Sequence, residues 1–125
     1  MEKKYLTFYD VRAYKIATEL SDYVHGIVSS WDWFNKRTLG VQWVDAVDSI
    51  AGNIAEGFGR FHKKDKQKFY YNARGSVMES IHWTERATAR KLLSEKERAS
   101  ILEKLETLPR EINYQIRLTE EKLKK

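Results

Sequence analysis

Apolar residues recur at spacings of three and four along most of the chain, and few residues interrupt this pattern. The 125 residues include one proline and six glycines. A period of 3.6 residues is that of an α-helix, whereas the residues of a strand alternate every two positions. Each stretch is apolar on one face only, so its stability requires packing against other helices. The pattern therefore predicts an all-α fold.

The apolar periodicity divides the chain into four helices, which we expect to pack as an antiparallel up-down four-helix bundle. Asp10 is the expected N-cap of the first helix. Gly57 and Gly59 are expected to end the second helix in the left-handed conformation that favours glycine. The predicted helices span about residues 10–29, 39–58, 64–91 and 94–123, within a single domain that covers residues 1–125.

The third and fourth helices carry further local signals. The predicted inward face of the third helix is mostly small, so a neighbouring helix can approach it closely. This face contains Phe69, Ala73, Val77, Ser80, Thr84 and Ala87. Ser94 and Glu97 form a capping-box pattern at the start of the fourth helix. Pro109 lies inside that helix, and we expect a kink rather than a break because the periodicity continues on both sides, as far as Leu123.

The tryptophans have two interpretations. The sequence contains Trp31, Trp33, Trp43 and Trp83. Trp43 is expected at the edge of an apolar stripe on the second helix that contains Val44, Ala51 and Phe58. Packing in the core is the first interpretation of each tryptophan. A subunit interface formed by partly exposed tryptophans together with Ile50 is the second.

The composition excludes several classes of protein. The chain has no cysteine, so disulfides and thiolate zinc sites are excluded. No apolar run approaches the ~20 residues of a membrane helix. The N-terminal segment lacks the apolar region of a signal peptide. We therefore expect a cytoplasmic protein with no membrane partner.

A basic cluster spans residues 60–74, from the connection between the predicted second and third helices into the start of the third. It contains one acidic residue, Asp65, and six basic residues: Arg60, Lys63, Lys64, Lys66, Lys68 and Arg74. This local excess equals the formal net charge of the whole chain, +5. Such a cluster attracts polyanions, including nucleic acids. The alternative is a solvated helix start that keeps the protein soluble.

The second helix also carries a polar stripe on the side opposite to its apolar face. Ser49, Asn53 and Glu56 share this stripe at helical spacing. The stripe is either exposed to solvent or buried against another subunit, where Glu56 would need a partner such as Arg60 or Arg74. No nucleophile or metal ligand accompanies these residues. The pattern favours a structural polar network or a subunit interface over a catalytic site.

Two residue pairs resemble the Glu-x-x-His ligands of di-metal bundle proteins. They are Asp22 with His25 on the first helix and Glu79 with His82 on the third. At ~100° per residue, both pairs point away from the apolar faces of their helices. The segment GFGR (57–60) lacks the third glycine and the preceding strand of a dinucleotide-binding fingerprint. We therefore expect neither catalytic activity nor a bound cofactor or metal.

Two motifs are specific enough to indicate a family. The segment DSIAGNIAEGFGRF spans residues 48–61, and FYYNARGS spans residues 69–76. Their sequence and spacing resemble the signature of the 23S rRNA intervening-sequence proteins, in which the first motif ends the second helix and the other lies in the third. The opening segment YDVRAYKIATEL also resembles the first helix of that family. The chain departs from the family pattern at HKKD (62–65), where a serine or threonine is usual, and at Pro109.

The resemblance implies a compact antiparallel bundle and a ring-like homo-oligomer, often a pentamer. It implies no defined activity. These proteins take their name from genes sited within insertions in bacterial large-subunit rRNA. Their fold is shared by the accessory proteins of diversity-generating retroelements, which bind nucleic acid and associate with a reverse transcriptase. That second relation rests on fold alone.

The basic cluster and the resemblance together predict a non-enzymatic, homo-oligomeric protein that binds RNA or DNA. The expected phosphate contacts are Arg60, Lys63, Lys64, Lys66 and Lys68. The residues expected to stack on bases are Phe61 and His62, although Phe61 has the alternative role of covering the end of the bundle. The residues assigned to a structural network or a subunit interface are Ser49, Asn53, Glu56 and Arg74.

A second function fits the same residues. In this alternative the chain is an oligomeric protein-interaction scaffold whose basic cluster contacts an acidic partner protein, such as an accessory factor to a reverse transcriptase. The dependence of binding on salt, and competition by RNA, would distinguish the two functions.

Overall fold

The computed structural model describes residues 7–122, which form a bundle of four long helices. We label them α1 (Arg12–Ser29), α2 (Val41–Gly59), α3 (Lys63–Ala89) and α4 (Glu95–Lys122). Each helix packs against the one that follows it in the chain, and α1 also contacts α4. The prediction of an all-α bundle is confirmed. The predicted position of Leu123 lies outside the described residues.

The first helix begins later than predicted, and Asp10 does not cap it. Asp10 closes a short 3-10 turn, Phe8–Asp10, and its carboxylate accepts a hydrogen bond from the backbone N–H of Thr7 at 2.8 Å. Val11 is extended and precedes α1 without a side-chain cap. The prediction was wrong because the carboxylate of Asp10 folds back onto the preceding turn instead of forward onto α1.

The connection between α1 and α2 is helical rather than irregular. A short α-helix, Trp33–Asn35, leads into a π-helical segment, Lys36–Gly40, which continues directly into α2. The side chain of Asp32 caps the short helix by accepting a hydrogen bond from the backbone N–H of Asn35 at 3.3 Å. Helical conformation therefore starts well before residue 39, where the sequence pattern placed it.

Trp43 lies in the centre of the core, not at the edge of the apolar stripe of α2. Its side chain is fully buried and stacks on Trp31 with ring centroids 5.7 Å apart. Its indole N–H donates a hydrogen bond to Thr84 Oγ1 of α3 at 3.1 Å. Thr84 in turn donates to the carbonyl of Ser80 at 2.7 Å. The buried indole is thereby satisfied, as the burial of a polar group requires.

The buried face of α2 is wider than the predicted stripe, because α2 packs against α1 on one side and α3 on the other. Ile50 is fully buried, which removes it from any subunit interface. Val44 and Phe58, which were expected to face inward, are only partly buried. The apolar spacing alone did not reveal that two neighbouring helices would cover this one.

The inward face of α3 consists mostly of small side chains, as predicted, but one predicted core residue is replaced by its neighbour. Ala73, Val77 and Thr84 are fully buried, but Tyr70 rather than Phe69 enters the core. Burial raises the pKa of the Tyr70 phenol to about 12. Both aromatic residues lie at helical spacing from Ala73, so the periodicity could not decide between them.

Gly57 has a different role from the one predicted. None of the described glycines has a positive φ, and α2 ends because Arg60 is extended, with φ −76° and ψ 149°. A Cβ atom on Gly57 would lie 2.8 Å from Cε1 of Tyr70. The glycine is therefore required by the close approach of α2 and α3, and not by a left-handed backbone.

The fourth helix begins with the predicted capping box. Glu97 Oε1 accepts a hydrogen bond from the backbone N–H of Ser94 at 2.9 Å, and Ser94 Oγ accepts one from the N–H of Glu97 at 3.1 Å. The helix continues through Pro109 without a break. Within residues 7–122, no helix is both long and apolar enough to cross a membrane.

The close contact at Gly57 predicts a contrast between two neighbouring glycines. We expect Gly57→Ala to lower the free energy of unfolding by about 1–3 kcal/mol, because the added methyl group meets a buried ring. Gly59→Ala should leave it unchanged or raise it slightly, since no atom lies within 4 Å of a Cβ at that position. Urea denaturation of the two variants measures both effects. Equal free energies of unfolding for the two variants would contradict the requirement for glycine at position 57.

Candidate nucleic-acid interface

Residues 60–68 connect α2 to α3 and form the first turns of α3; we call them the basic turn. Its first three residues follow the end of α2, and its remainder is helical. His62 is the N-cap residue of α3, with an extended backbone and no side-chain cap. Asp65 lies in the first turn of α3, where a carboxylate interacts favourably with the positive end of the helix dipole. The turn thus projects from one end of the bundle.

Lys66 faces back into the protein. Its ammonium group donates hydrogen bonds to the carbonyl oxygens of Phe58 at 2.7 Å and Gly57 at 3.2 Å. It also lies 5.5 Å from the centre of the Phe58 ring. Burial lowers the pKa of Lys66 below its ordinary value. Because the last carbonyls of a helix have no partner within the helix, this lysine acts as a side-chain cap for α2.

Lys63 forms an ion pair with a residue near the C-terminal end of α4. Its ammonium group lies 2.9 Å from Glu120 Oε1 of α4, and Gln67 donates to Glu120 Oε2 at 2.6 Å. The hydrogen bonds from Lys63 and Gln67, together with the charge of Lys63, lower the pKa of the Glu120 carboxyl. These contacts join the start of α3 to the end of α4, and they partly neutralise Lys63.

Three basic residues remain at the surface. Lys64 and Lys68 are exposed, lie one helical turn apart on the same face of α3, and form no ion pair within the described residues. Arg60 is exposed and pairs with Glu56 at 2.7 Å. The guanidinium carbon of Arg60 lies 4.6 Å from the centre of the Phe69 ring, and the Lys68 nitrogen lies 6.0 Å from it. Two of the three cations therefore lie beside the same aromatic ring.

The two aromatic residues of the basic turn are also exposed. Phe61 is 84% exposed, so it does not cover the end of the bundle. Its ring meets the His62 ring edge to face, with centroids 5.1 Å apart. Single-stranded nucleic acids are bound by aromatic rings of this kind beside cationic groups.

The structure brings together three of the four residues of the predicted polar network. Ser49 Oγ donates to the carbonyl of Asp45 at 2.8 Å, and Asn53 Nδ2 donates to the carbonyl of Ser49 at 2.8 Å. Glu56 is joined to Arg60, which is one of its two predicted partners. Ser49, Asn53 and Glu56 line one side of a shallow groove with Asp48, Gly52 and Phe69.

Arg74 lies in a separate groove. This groove is lined by Tyr71, Arg74, Gly75, Met78 and Pro109. The guanidinium carbon of Arg74 lies 5.3 Å from the centre of the Tyr71 ring. The structure therefore divides the predicted network into an α2 group beside the basic turn and an arginine that faces α4.

Sequence reasoning missed two residues of the site, Phe69 and Gly52. Phe69 was assigned to the core, and the exchange with Tyr70 leaves it half-buried beside Arg60. Gly52 had a usable signal: a glycine inside a helix costs about 1 kcal/mol relative to alanine, so its presence indicates a packing or functional reason. No atom lies within 4 Å of a Cβ built at Gly52, so packing is not that reason.

The residue pairs considered as metal ligands lie at the surface. Asp22, His25, Glu79 and His82 are all exposed. Among residues 7–122, no group of three or more histidine, cysteine, aspartate or glutamate side chains is arranged to hold a metal ion. The helix-by-helix directions inferred from the sequence agree with this placement.

The fold defines the chain as an all-α helical bundle protein, and a comparison with protein families narrows the class. The model of the 23S rRNA-intervening sequence protein family matches residues 9–114. The chain belongs to this family, as its two motifs indicated. No curated protein matches the chain.

Because Lys66 caps α2, we expect its replacement to destabilise the protein and not only to remove a surface charge. Lys66→Met keeps most of the aliphatic stem but removes both hydrogen bonds to the end of α2. We expect it to lower the free energy of unfolding by about 1–2 kcal/mol. The matched variant Lys64→Met, at an exposed position, should change it by less than about 0.5 kcal/mol. Urea denaturation compares the two, and equal effects would contradict the capping role.

Proposed function

We propose that this protein is a non-enzymatic, homo-oligomeric RNA-binding protein of the cytoplasm that contacts phosphate groups through its basic turn. The observation that carries the proposal is the group of exposed side chains at one end of the bundle. These are Arg60, Phe61, His62, Lys64 and Lys68. The same turn would also bind DNA phosphates, because contacts of this kind carry no sequence information.

Charge repulsion at the surface of α3 supports this proposal. Lys64 and Lys68 carry like charges one helical turn apart, which destabilises an isolated helix. A phosphate between them would remove the repulsion and release counterions from the nucleic acid. Arg60 would supply a third cation, since its pair with Glu56 is largely exposed and such pairs are worth little.

Exposed aromatic side chains favour a nucleic acid over a simple anion. Phe61 holds an apolar ring almost entirely in water, and stacking on an unpaired base would remove much of that surface. Base stacking on an aromatic ring contributes about 1–3 kcal/mol per base. His62 is the adjacent ring. RNA offers such unpaired bases in loops, bulges and single strands.

The five basic residues that were predicted to contact phosphate are not equally available to a ligand. Lys66 has its donors on the carbonyls of α2, and Lys63 shares its charge with Glu120. The proposal therefore assigns the phosphate contacts chiefly to Arg60, Lys64 and Lys68. Lys63 and Lys66 keep the turn in the shape that presents them.

Homo-oligomerisation is part of the proposal, with a ring of five subunits as the form implied by the family. An aromatic patch at the opposite end of the bundle supports it. Trp33 is 71%, Phe34 63% and Val41 57% exposed. Large apolar side chains exposed close together in the sequence are candidates for a protein interface. Repetition of the basic turn around an assembly would strengthen binding through multivalency.

A salt titration tests the proposal. We would measure the binding of a structured rRNA fragment and of duplex DNA to the wild type and to Lys64→Gln/Lys68→Gln. Binding by the wild type should weaken steeply with salt, and the double variant should bind more weakly at low salt. The slope of log K against log salt should fall in magnitude by roughly 1–2 in the variant, since two phosphate contacts are removed.

A matched variant controls for net charge. Lys91→Gln/Lys96→Gln removes the same charge from exposed residues at the opposite end of the bundle, beside the α3–α4 connection. It should retain the wild-type slope. No binding at low salt by folded, oligomeric wild type would refute the proposal. The protein scaffold with an acidic partner would then be the better interpretation of the basic turn.

A further inference from the structure

A shallow groove beside the basic turn combines polar side chains with one aromatic ring. Its volume is about 360 Å³, and it is lined by Asp48, Ser49, Gly52, Asn53, Glu56 and Phe69. Ligand sites in proteins begin at about 300 Å³. The missing side chain of Gly52 leaves the middle of the groove open.

The polar groups that face this groove have unused hydrogen-bond acceptors. Asn53 uses its amide N–H to reach Ser49, so its carbonyl oxygen remains as an acceptor. Glu56 binds Arg60 through Oε2, which leaves Oε1. Asp48 accepts a hydrogen bond from Ser21 through Oδ1, which leaves Oδ2. A ligand that fits here must offer N–H donors.

The wall of the groove favours a flat ligand next to phosphates. Phe69 lines the groove, and its ring also contacts the cations of Arg60 and Lys68. A planar base can stack on an aromatic ring or on an arginine guanidinium plane. The same cations lie where the phosphates next to such a base would need neutralisation.

Beside Glu56, a neutral donor fits better than a cationic side chain. Glu56 lies 2.7 Å from Arg60. A lysine or arginine from a partner would compete with Arg60 and would be repelled by Lys68. The amino group of a nucleobase donates hydrogen bonds without adding charge, so it meets neither obstacle.

We propose that this groove binds one unpaired nucleobase that carries an exocyclic amino group, while the basic turn holds the adjacent phosphates. Cytosine is favoured over uracil, because carboxylate and amide oxygens accept from the cytosine N4 amino group. Uracil presents a carbonyl oxygen at that position, which the same acceptors repel. This inference rests on the proposed RNA-binding function and adds base selectivity to it.

Single-stranded oligocytidine and oligouridine of equal length test the selectivity, because they carry the same charge and a base of nearly the same size. We expect the wild type to bind oligocytidine roughly tenfold more tightly at equal salt, by fluorescence anisotropy. Gly52→Leu should fill the groove and abolish this preference. It should retain salt-dependent binding of oligouridine, because the phosphate contacts lie outside the groove.

Gly75→Leu is the matched control. Gly75 also has no atom within 4 Å of a Cβ, but it lines the other groove, with Arg74 and Pro109. Leucine favours a helix more than glycine does, so both variants should fold, and circular dichroism checks this. Gly75→Leu should keep the wild-type preference for oligocytidine.

The possible outcomes separate the two proposals. Equal binding of both oligonucleotides by the wild type overturns the base site and leaves the phosphate-binding function intact. No binding of either at low salt overturns both. If Gly52→Leu changes the number of subunits in sedimentation but not the base preference, the groove is a contact between copies of the chain, and the base site is also overturned.

Discussion

The close approach of α2 and α3 at Gly57 is the constraint on which the rest of the structure depends. A glycine on α2 allows the ring of Tyr70 to pack directly against the helix backbone. With the two helices this close, Lys66 reaches the last carbonyls of α2. The turn between the helices is then short and fixed at both ends. Arg60 and Lys68 both lie beside the ring of Phe69, at 4.6 Å and 6.0 Å from its centre.

The sequence contained enough information for the architecture but not for the orientation of every side chain. Helical periodicity predicted four helices, and the Ser94 capping box was confirmed because it depends only on residues three positions apart. The prediction that Asp10 caps α1 was wrong because an aspartate carboxylate can accept a backbone hydrogen bond from the preceding turn as well as from the following helix. Phe69 and Tyr70 both fit the spacing of the α3 core, so only the position of α2 could decide which one is buried.

For the candidate site, the sequence predicted the location of the basic cluster but not the role of each residue within it. The sequence assigns the same charge to every lysine, whereas the structure shows that the lysines differ in the groups that they contact. Lys66 reaches helix carbonyls and Lys63 reaches a carboxylate near the C-terminal end of α4. Lys64 points to solvent. The charge available to a ligand is therefore smaller than the formal charge of the segment, and it is more narrowly placed.

The aromatic patch around Trp33 and Val41 lies at the start of α2, whereas the basic turn follows its end. A helix of this length, Val41–Gly59, separates the two surfaces by about 28 Å at 1.5 Å per residue. Subunits that met through these residues would leave the basic turns uncovered. A ligand could then be bound at one end of each subunit without displacing the contact at the other end.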